Sequence, residues 1–172
     1  KLLDETTQPS AARPTISVAE FSATRMRIGY VGYLGNEQNV ASLTWFLDNV
    51  WNAIRDAVPG LEFHVIGQDA GDALVKKLTD YGDIFLHRDN RDTKLTELGL
   101  RVMIEPLLHE THTEAKLVNA LARGIPVATT REGLSRARLE VGDAVSVADS
   151  SPHMVLNLRR LLSEATLWQA LN

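Results

Sequence analysis

Cysteine is missing from all 172 residues, so neither a disulfide framework nor a thiolate-ligated metal centre can form, and the redox compartment stays open. Positive charge is not in excess. The formal net charge of -4 gives no whole-surface attraction for nucleic acid or anionic lipid, which makes nucleic acid a poor candidate partner. No apolar run approaches the ~18 residues of a membrane-spanning helix. The dinucleotide fingerprint G-x-G-x-x-G is also lacking: Gly29, Gly32 and Gly35 form G-x-x-G-x-x-G, a spacing that weighs against dinucleotide binding. No serine stands in a nucleophile-elbow context. His109 and His112 form H-x-x-H without a third ligand at helical or strand spacing, a poor zinc pattern, so no metal is expected. The chain starts at Lys1 with no signal-peptide pattern, which suggests a longer parent.

What is present belongs to an ordinary globular protein. Hydrophobic residues make up 44% and charged residues 23%, and the length suits one domain with a substantial core rather than two. Residues 1–25 are rich in Thr, Ser and Pro and read as a linker or the remnant of a preceding domain. From residue 26 to 172, strand and helix patterns alternate. Strands are expected at 26–32, 61–67, 83–87, 100–104, 126–129 and 144–147. The first helix is expected from 40 to about 57, with Asn39 as its N-cap and Leu43, Phe46, Leu47, Val50 and Ile54 at helical spacing. Further helices are expected at 72–81, at 92–98, through the 114–123 stretch, to Glu140 after a Gly133-containing loop, at 153–162 and from 165 onward. The alternation predicts an α/β fold with a parallel six-stranded sheet covered on both faces. Ligands of such sheets bind beyond the carboxyl ends of the strands, near the switch in strand order.

The stretch 110–127 is the most informative. A polar turn, Glu110-Thr111-His112-Thr113-Glu114, opens a helix with Leu117, Val118, Leu121 and Ala122 as its apolar stripe. His112, Lys116, Asn119 and Arg123 recur on another face. Gly124 is placed to end the helix before a short buried strand starting at Pro126. The unpaired N–H groups of the first turn, two threonine hydroxyls and the Lys116 ammonium together fit a phosphate. They fit equally a helix cap followed by a solvated lysine. Arg88, just past the third strand, is either a ligand-facing cation or a loop charge, and His64, inside a strand, is expected to be a packed or edge residue.

Four segments carry a family resemblance: Ile28-Gly29-Tyr30-Val31-Gly32-Tyr33-Leu34 with Asn39 and Trp45-Phe46; Pro59-Gly60-Leu61-Glu62-Phe63-His64-Val65-Ile66-Gly67; Lys116 to Val127 with Ala128-Thr129-Thr130 and Gly133-Leu134; and the Trp168-containing end. The third is the most specific, being similar to K-x-x-E-A-L-A-x-G-x-P-V-V-x-T. The chain beyond the linker resembles the C-terminal, nucleotide-sugar-binding domain of GT-B glycosyltransferases of family 4, group 1. The resemblance implies a Rossmann-like, doubly wound sheet forming one half of a GT-B architecture. It also implies transfer of a sugar from a nucleotide diphosphate sugar to an acceptor such as a glycan or lipid-linked glycan, with no cofactor beyond that substrate and no metal. Gly32 and Leu34 would let the donor phosphates approach closely. Thr111, His112 and Thr113 would sit at the pyrophosphate or sugar, Lys116 and Arg88 would supply positive charge, and Asn119 would face the ribose. No catalytic residue is assigned. The acceptor-binding N-terminal domain would be the missing partner, so the fragment alone is expected to be inactive. A cytoplasmic location is expected, and peripheral attachment of the parent to a membrane is left open.

The chain departs from the family at three places. Asn119 stands where a ribose-binding Glu is usual, and a carboxamide offers one acceptor oxygen and an NH2 donor. Glu114 stands where a basic residue is common. Asn36 and Gln38 occupy the loop that often carries Arg and Lys. These departures motivate the alternative of a degenerate, non-catalytic scaffold or partner-binding domain. A different nucleotide-binding α/β domain, such as a sugar-nucleotide epimerase, is disfavoured by the absent fingerprint.

Overall fold

The computed structural model describes residues 21, 24–88, 98–106, 114–136 and 145–171. In chain order, β1 (Arg27–Val31) leads to α1 (Glu37–Phe46), which runs through a π-helical segment (Leu47–Trp51) into α2 (Asn52–Ala57). Then come β2 (Glu62–Ile66), α3 (Asp72–Thr79), β3 (Ile84–His87) and β4 (Val102–Glu105). The chain continues with α4 (Glu114–Ala122), β5 (Val127–Thr130), α5 (Arg131–Arg136), β6 (Val145–Ala148), α6 (Ser151–Ser163) and α7 (Ala165–Ala170). The six strands form one sheet in the order β3-β2-β1-β4-β5-β6, and every neighbouring pair is parallel. This is the doubly wound arrangement the alternating pattern predicts.

Parallel strands need helical crossovers that cover both sheet faces, which is why the central strands are apolar on both sides. Successive side chains point to opposite faces. On one face Ile28, Tyr30, Phe63, Val65, Val102 and Ile104 share a core with Leu43, Phe46, Trp51 and Ile54 of the first helical run and Met154, Leu158 and Leu161 of α6. On the other, Ile66, Met103 and Val127 pack with Leu117 and Ala120 of α4.

Local chemistry moves several expected features. The first helix is capped by Asn36, not Asn39: the Asn36 carboxamide oxygen accepts the Gln38 and Asn39 N–H groups at 2.9 and 3.1 Å. Starting the helix one turn earlier puts Asn39 inside it as a buried polar residue. Gly133 lies within α5, not in a loop. A Cβ there would come within 2.0 Å of the Thr129 hydroxyl, so glycine lets this helix sit directly on β5. Beyond Arg136 the expected continuation to Glu140 lies outside the described residues, as does most of the helix expected at 92–98.

In α4 the buried side is Leu117 and Ala120 with Leu121 half-buried, whereas Val118 is 53% exposed and Ala122 is exposed too. The i, i+3, i+4 set that faces the sheet starts at Leu117, and Val118 and Ala122 each lie one step further round. Gly124 ends the helix as expected, with φ of 68° and its N–H on the Leu121 carbonyl at 2.9 Å.

Candidate functional site

Strand order reverses between β1 and β4, whose outgoing connections run to opposite faces of the sheet. The crevice above these two strand ends is where a ligand of such a fold sits. One wall is the loop after β1. The Gly32 N–H donates to the Ile66 carbonyl at 3.0 Å and the Leu34 N–H to the Gln68 carbonyl at 2.9 Å. Both N–H groups are thus engaged with the loop after β2, and the Leu34 side chain is in the core. Gly67 makes this contact feasible, since a Cβ on it would lie 2.0 Å from the Gly32 carbonyl oxygen. Gly32 and Leu34 therefore contribute the shape of a fixed loop, not idle N–H donors. The same loop presents Tyr33, 56% exposed, whose phenol pKa is raised by the Asp69 carboxylate.

The floor is a polar cluster that joins the two sides. Asn39, from α1, donates its amide to the Tyr33 carbonyl at 2.9 Å, and its oxygen faces Lys116 Nζ at 3.4 Å. Lys116, from α4 on the opposite sheet face, thus bridges the crevice. Its ammonium also lies 5.7 Å from the centre of the Tyr30 ring and 3.8 Å from Glu105 Oε1. Glu105 ends β4 and is 0% exposed. At 3.8 Å the contact to Lys116 is an ion pair without a hydrogen bond, and among the described residues neither carboxylate oxygen has a hydrogen-bond partner. Burial pushes this carboxyl up to about 7, with the Lys116 charge opposing the rise. The buried Tyr30 phenol, which donates to the Asn39 carbonyl at 3.2 Å, is raised as well, by desolvation and then by Glu105.

Of the residues singled out in the sequence, Lys116 is brought to the floor of the crevice. Arg88 is exposed just past β3. Asn119 is half-buried on α4 and already occupied, because Arg123 NH1 donates to its carboxamide oxygen and, at 2.9 Å, to its backbone carbonyl. Thr111, His112 and Thr113 lie outside the described residues. Glu105 and Asn39 were not recognised as site residues. The signal for Glu105 was present: a carboxylate closing the apolar run Val102-Met103-Ile104, at a strand end facing the switch point.

A second polar cluster lies on β1, β2 and β3. The Glu62 carboxylate pairs with Arg27 and accepts from His64 Nε2 at 3.2 Å, while His64 Nδ1 is 2.9 Å from His87 Nε2. Desolvation lowers the His64 pKa, with Glu62 opposing. His64 is thus packed, as expected, and neutral, with its Nε2 proton on Glu62 and its Nδ1 accepting from His87. Among the described residues no group of three or more His, Asp or Glu is arranged to hold a metal ion.

Two grooves lie away from the crevice floor. One of about 840 Å³ runs between α1 and the start of α3 beside Trp45, and its carboxylates Glu37, Asp48, Asp69 and Asp72 make it unsuited to a phosphate. The other, about 540 Å³, lies beyond β5 and β6, where Arg131 is paired with Asp149 at 2.8 Å. No helix among the described residues is long and apolar enough to cross a membrane.

The sheet order and the crevice between two crossover helices define a Rossmann-like α/β domain of the kind that makes up half of a GT-B glycosyltransferase. The sequence profile of the family described as glycosyl transferases group 1 matches residues 25–164, and the chain belongs to that family. Comparison with curated proteins gives no match. Among solved structures, the fold is similar to TarM of S. aureus in complex with fondaparinux, α-GlcNAc-glycerol and UDP, at 14% identity and a TM-score of 0.67 over 85% of this chain and 30% of TarM. It is also similar to HepE of Anabaena in complex with UDP and glucose, at 12% identity and a TM-score of 0.64 over 91% of this chain and 46% of HepE. A third is WaaG, a glycosyltransferase involved in lipopolysaccharide biosynthesis, at 19% identity and a TM-score of 0.61 over 95% of this chain and 45% of WaaG. The chain thus spans 30% to 46% of the length of these structures.

Proposed function

We propose that the chain is the donor-binding half of a glycosyltransferase that moves a sugar from a nucleotide diphosphate sugar to an acceptor held by a second domain. The observation that carries this reading is the Lys116 bridge, an ammonium held from α4 across the β1–β4 crevice to Asn39 of α1. A cation fixed there stabilises the negative charge that grows on a departing diphosphate, at no cost in reorganisation when the bond breaks. The loop after β1, pinned to the loop after β2, supplies a rigid edge for the same ligand. Arg88, and Thr111, His112 and Thr113 before α4, are proposed to complete the donor contacts. Asn119 is proposed to meet the ribose once Arg123 releases its oxygen. The acceptor would be a glycan or lipid-linked glycan. Without the second domain this chain binds donor and turns over little or none.

The capture of Asn119 by Arg123 and of Lys116 by Glu105 favours a second reading, in which the domain keeps the fold but has lost donor binding. Calorimetric titration with UDP-, GDP- and dTDP-glucose separates the two. We expect one of them to bind, and Lys116→Ala to weaken it by about tenfold or more, the scale of a hydrogen bond to a charged group. If none binds the native chain but one binds Asn119→Glu, the degenerate reading stands and the donor reading is lost.

A further inference from the structure

Glu105 has a feature that donor binding alone does not use. Among the described residues, a carboxylate with no solvent exposure and no hydrogen bond to either oxygen has its compensating charge in the ion pair with Lys116. The groups around it are few. Tyr30 of β1 is a neutral phenol whose hydroxyl is turned to the Asn39 carbonyl. Asn39 of α1 spends its amide on Tyr33 and its oxygen on Lys116. From β5, Thr129 donates its hydroxyl to the Glu105 backbone carbonyl at 2.8 Å, not to the carboxylate. Gly133 of α5 brings no side chain. Among the described residues, Lys116 is thus the positive charge that faces this carboxylate.

We propose that Glu105 couples donor binding to proton uptake: a diphosphate that engages Lys116 draws the ammonium off the buried carboxylate, and Glu105 takes a proton from solvent in its place. This rests on the donor-site reading above. The balance is simple. One proton passes from water to a Glu105 oxygen, the carboxyl becomes neutral, and the ligand's negative charge replaces the carboxylate's as the partner of Lys116. Two effects drive it in the same direction: loss of the compensating cation, and approach of a second negative charge to a desolvated acid. Glu105 is already poised for it, since burial has raised its pKa to about 7. It acts through Lys116 and is a positioning residue. In the free protein it holds the ammonium at the crevice floor, and in the bound protein it is neutral.

The test is calorimetry of the whole chain with UDP-, GDP- and dTDP-glucose, whose diphosphates carry no group titrating near neutral pH. Titrations are run from pH 6.5 to 8.5 in buffers of different ionisation enthalpy, so that protons taken up are counted. For whichever donor binds, we expect uptake of up to one proton, and an affinity that falls by as much as about tenfold per pH unit above the free carboxyl's pKa. Glu105→Gln, which cannot titrate, should bind with no uptake from this site and a flatter pH profile. A ligand-induced infrared difference spectrum of the native chain, in which a protonated-carboxyl stretch appears, reads the same event without relying on the variant. Binding with no proton uptake, or with the same uptake in Glu105→Gln, overturns the coupling and leaves the donor site standing. Failure of all three donors to bind at any pH overturns the donor site and the coupling with it.

Discussion

The indole of Trp168 donates its N–H to the backbone carbonyl of Arg101 at 2.6 Å. Arg101 precedes β4, at the amino-terminal end of this central strand and opposite the crevice, and its buried guanidinium binds in several directions at once. Nε reaches the Thr24 hydroxyl at 2.7 Å, NH1 the Leu162 carbonyl at 2.8 Å, and NH2 the Phe21 and Thr24 carbonyls at 3.1 and 2.7 Å. The group lies 4.3 Å from the centre of the Phe21 ring, which packs in turn on Trp168. One residue, through its side chain and its backbone carbonyl, thus ties the entry segment, the end of α6 and α7 to β4.

Arg101→Lys keeps the charge but not the planar fork, and leaves buried carbonyls without donors. We expect a loss of about 2–4 kcal/mol and a Tm lower by about 5–15 °C, with donor affinity unchanged because the crevice is at the other end of the strands. Thermal unfolding followed by circular dichroism checks this. A shift below about 1 °C would refute the clamp.

Gly67→Ala puts a methyl group onto the Gly32 carbonyl oxygen and Leu34, and backbone is the contact that has to give. The expected cost is about 1–3 kcal/mol, together with weaker donor binding, because the displaced loop borders the crevice. Gly82→Ala is the control. A Cβ there meets nothing, and the change should stay within about 0.5 kcal/mol. Equal urea midpoints for the two variants would show that the two loops are not held together through Gly67.

Glu105 makes stability depend on pH with a definite sign. Its folded pKa, about 7, lies above the ordinary 4.5, so the folded state binds the proton more tightly than the unfolded state. That contribution is complete below the unfolded value and is lost as pH rises through about 7. Relative to Glu105→Gln, the native chain should lose on the order of 2–3 kcal/mol between pH 5 and pH 8. Urea unfolding of both proteins at several pH values measures the difference. Parallel profiles would mean that the carboxyl does not titrate in this range.

Much of the architecture could be read from residue order. Six apolar runs separated by helical periods demand parallel strands with crossovers on both faces, because no shorter connection joins parallel neighbours. The features that moved did so because of particular contacts. Asn36 and Asn39 are both good caps by composition. Asn36 takes the role because its oxygen meets two helix-terminal N–H groups, while Asn39 is drawn inward by Tyr33 and Lys116. Gly133 looked like a turn residue, but the approach of α5 to Thr129 is a distance between elements, which spacing along one segment does not encode.

By itself the sequence determined the fold class, the family, the absence of thiol chemistry and the place of Lys116 in a helix that opens after a strand. Hydrophobic period and turn chemistry are local properties, and the motif in the 116–127 stretch is contiguous. Only the tertiary structure decided which groups Lys116 faces. The pair 30 and 39 is far in the chain from the pair 105 and 116, and strand order brings the two together at the β1–β4 switch point. The same packing removes water from Glu105, and that desolvation raises the pKa of an ordinary strand-end carboxyl to about 7.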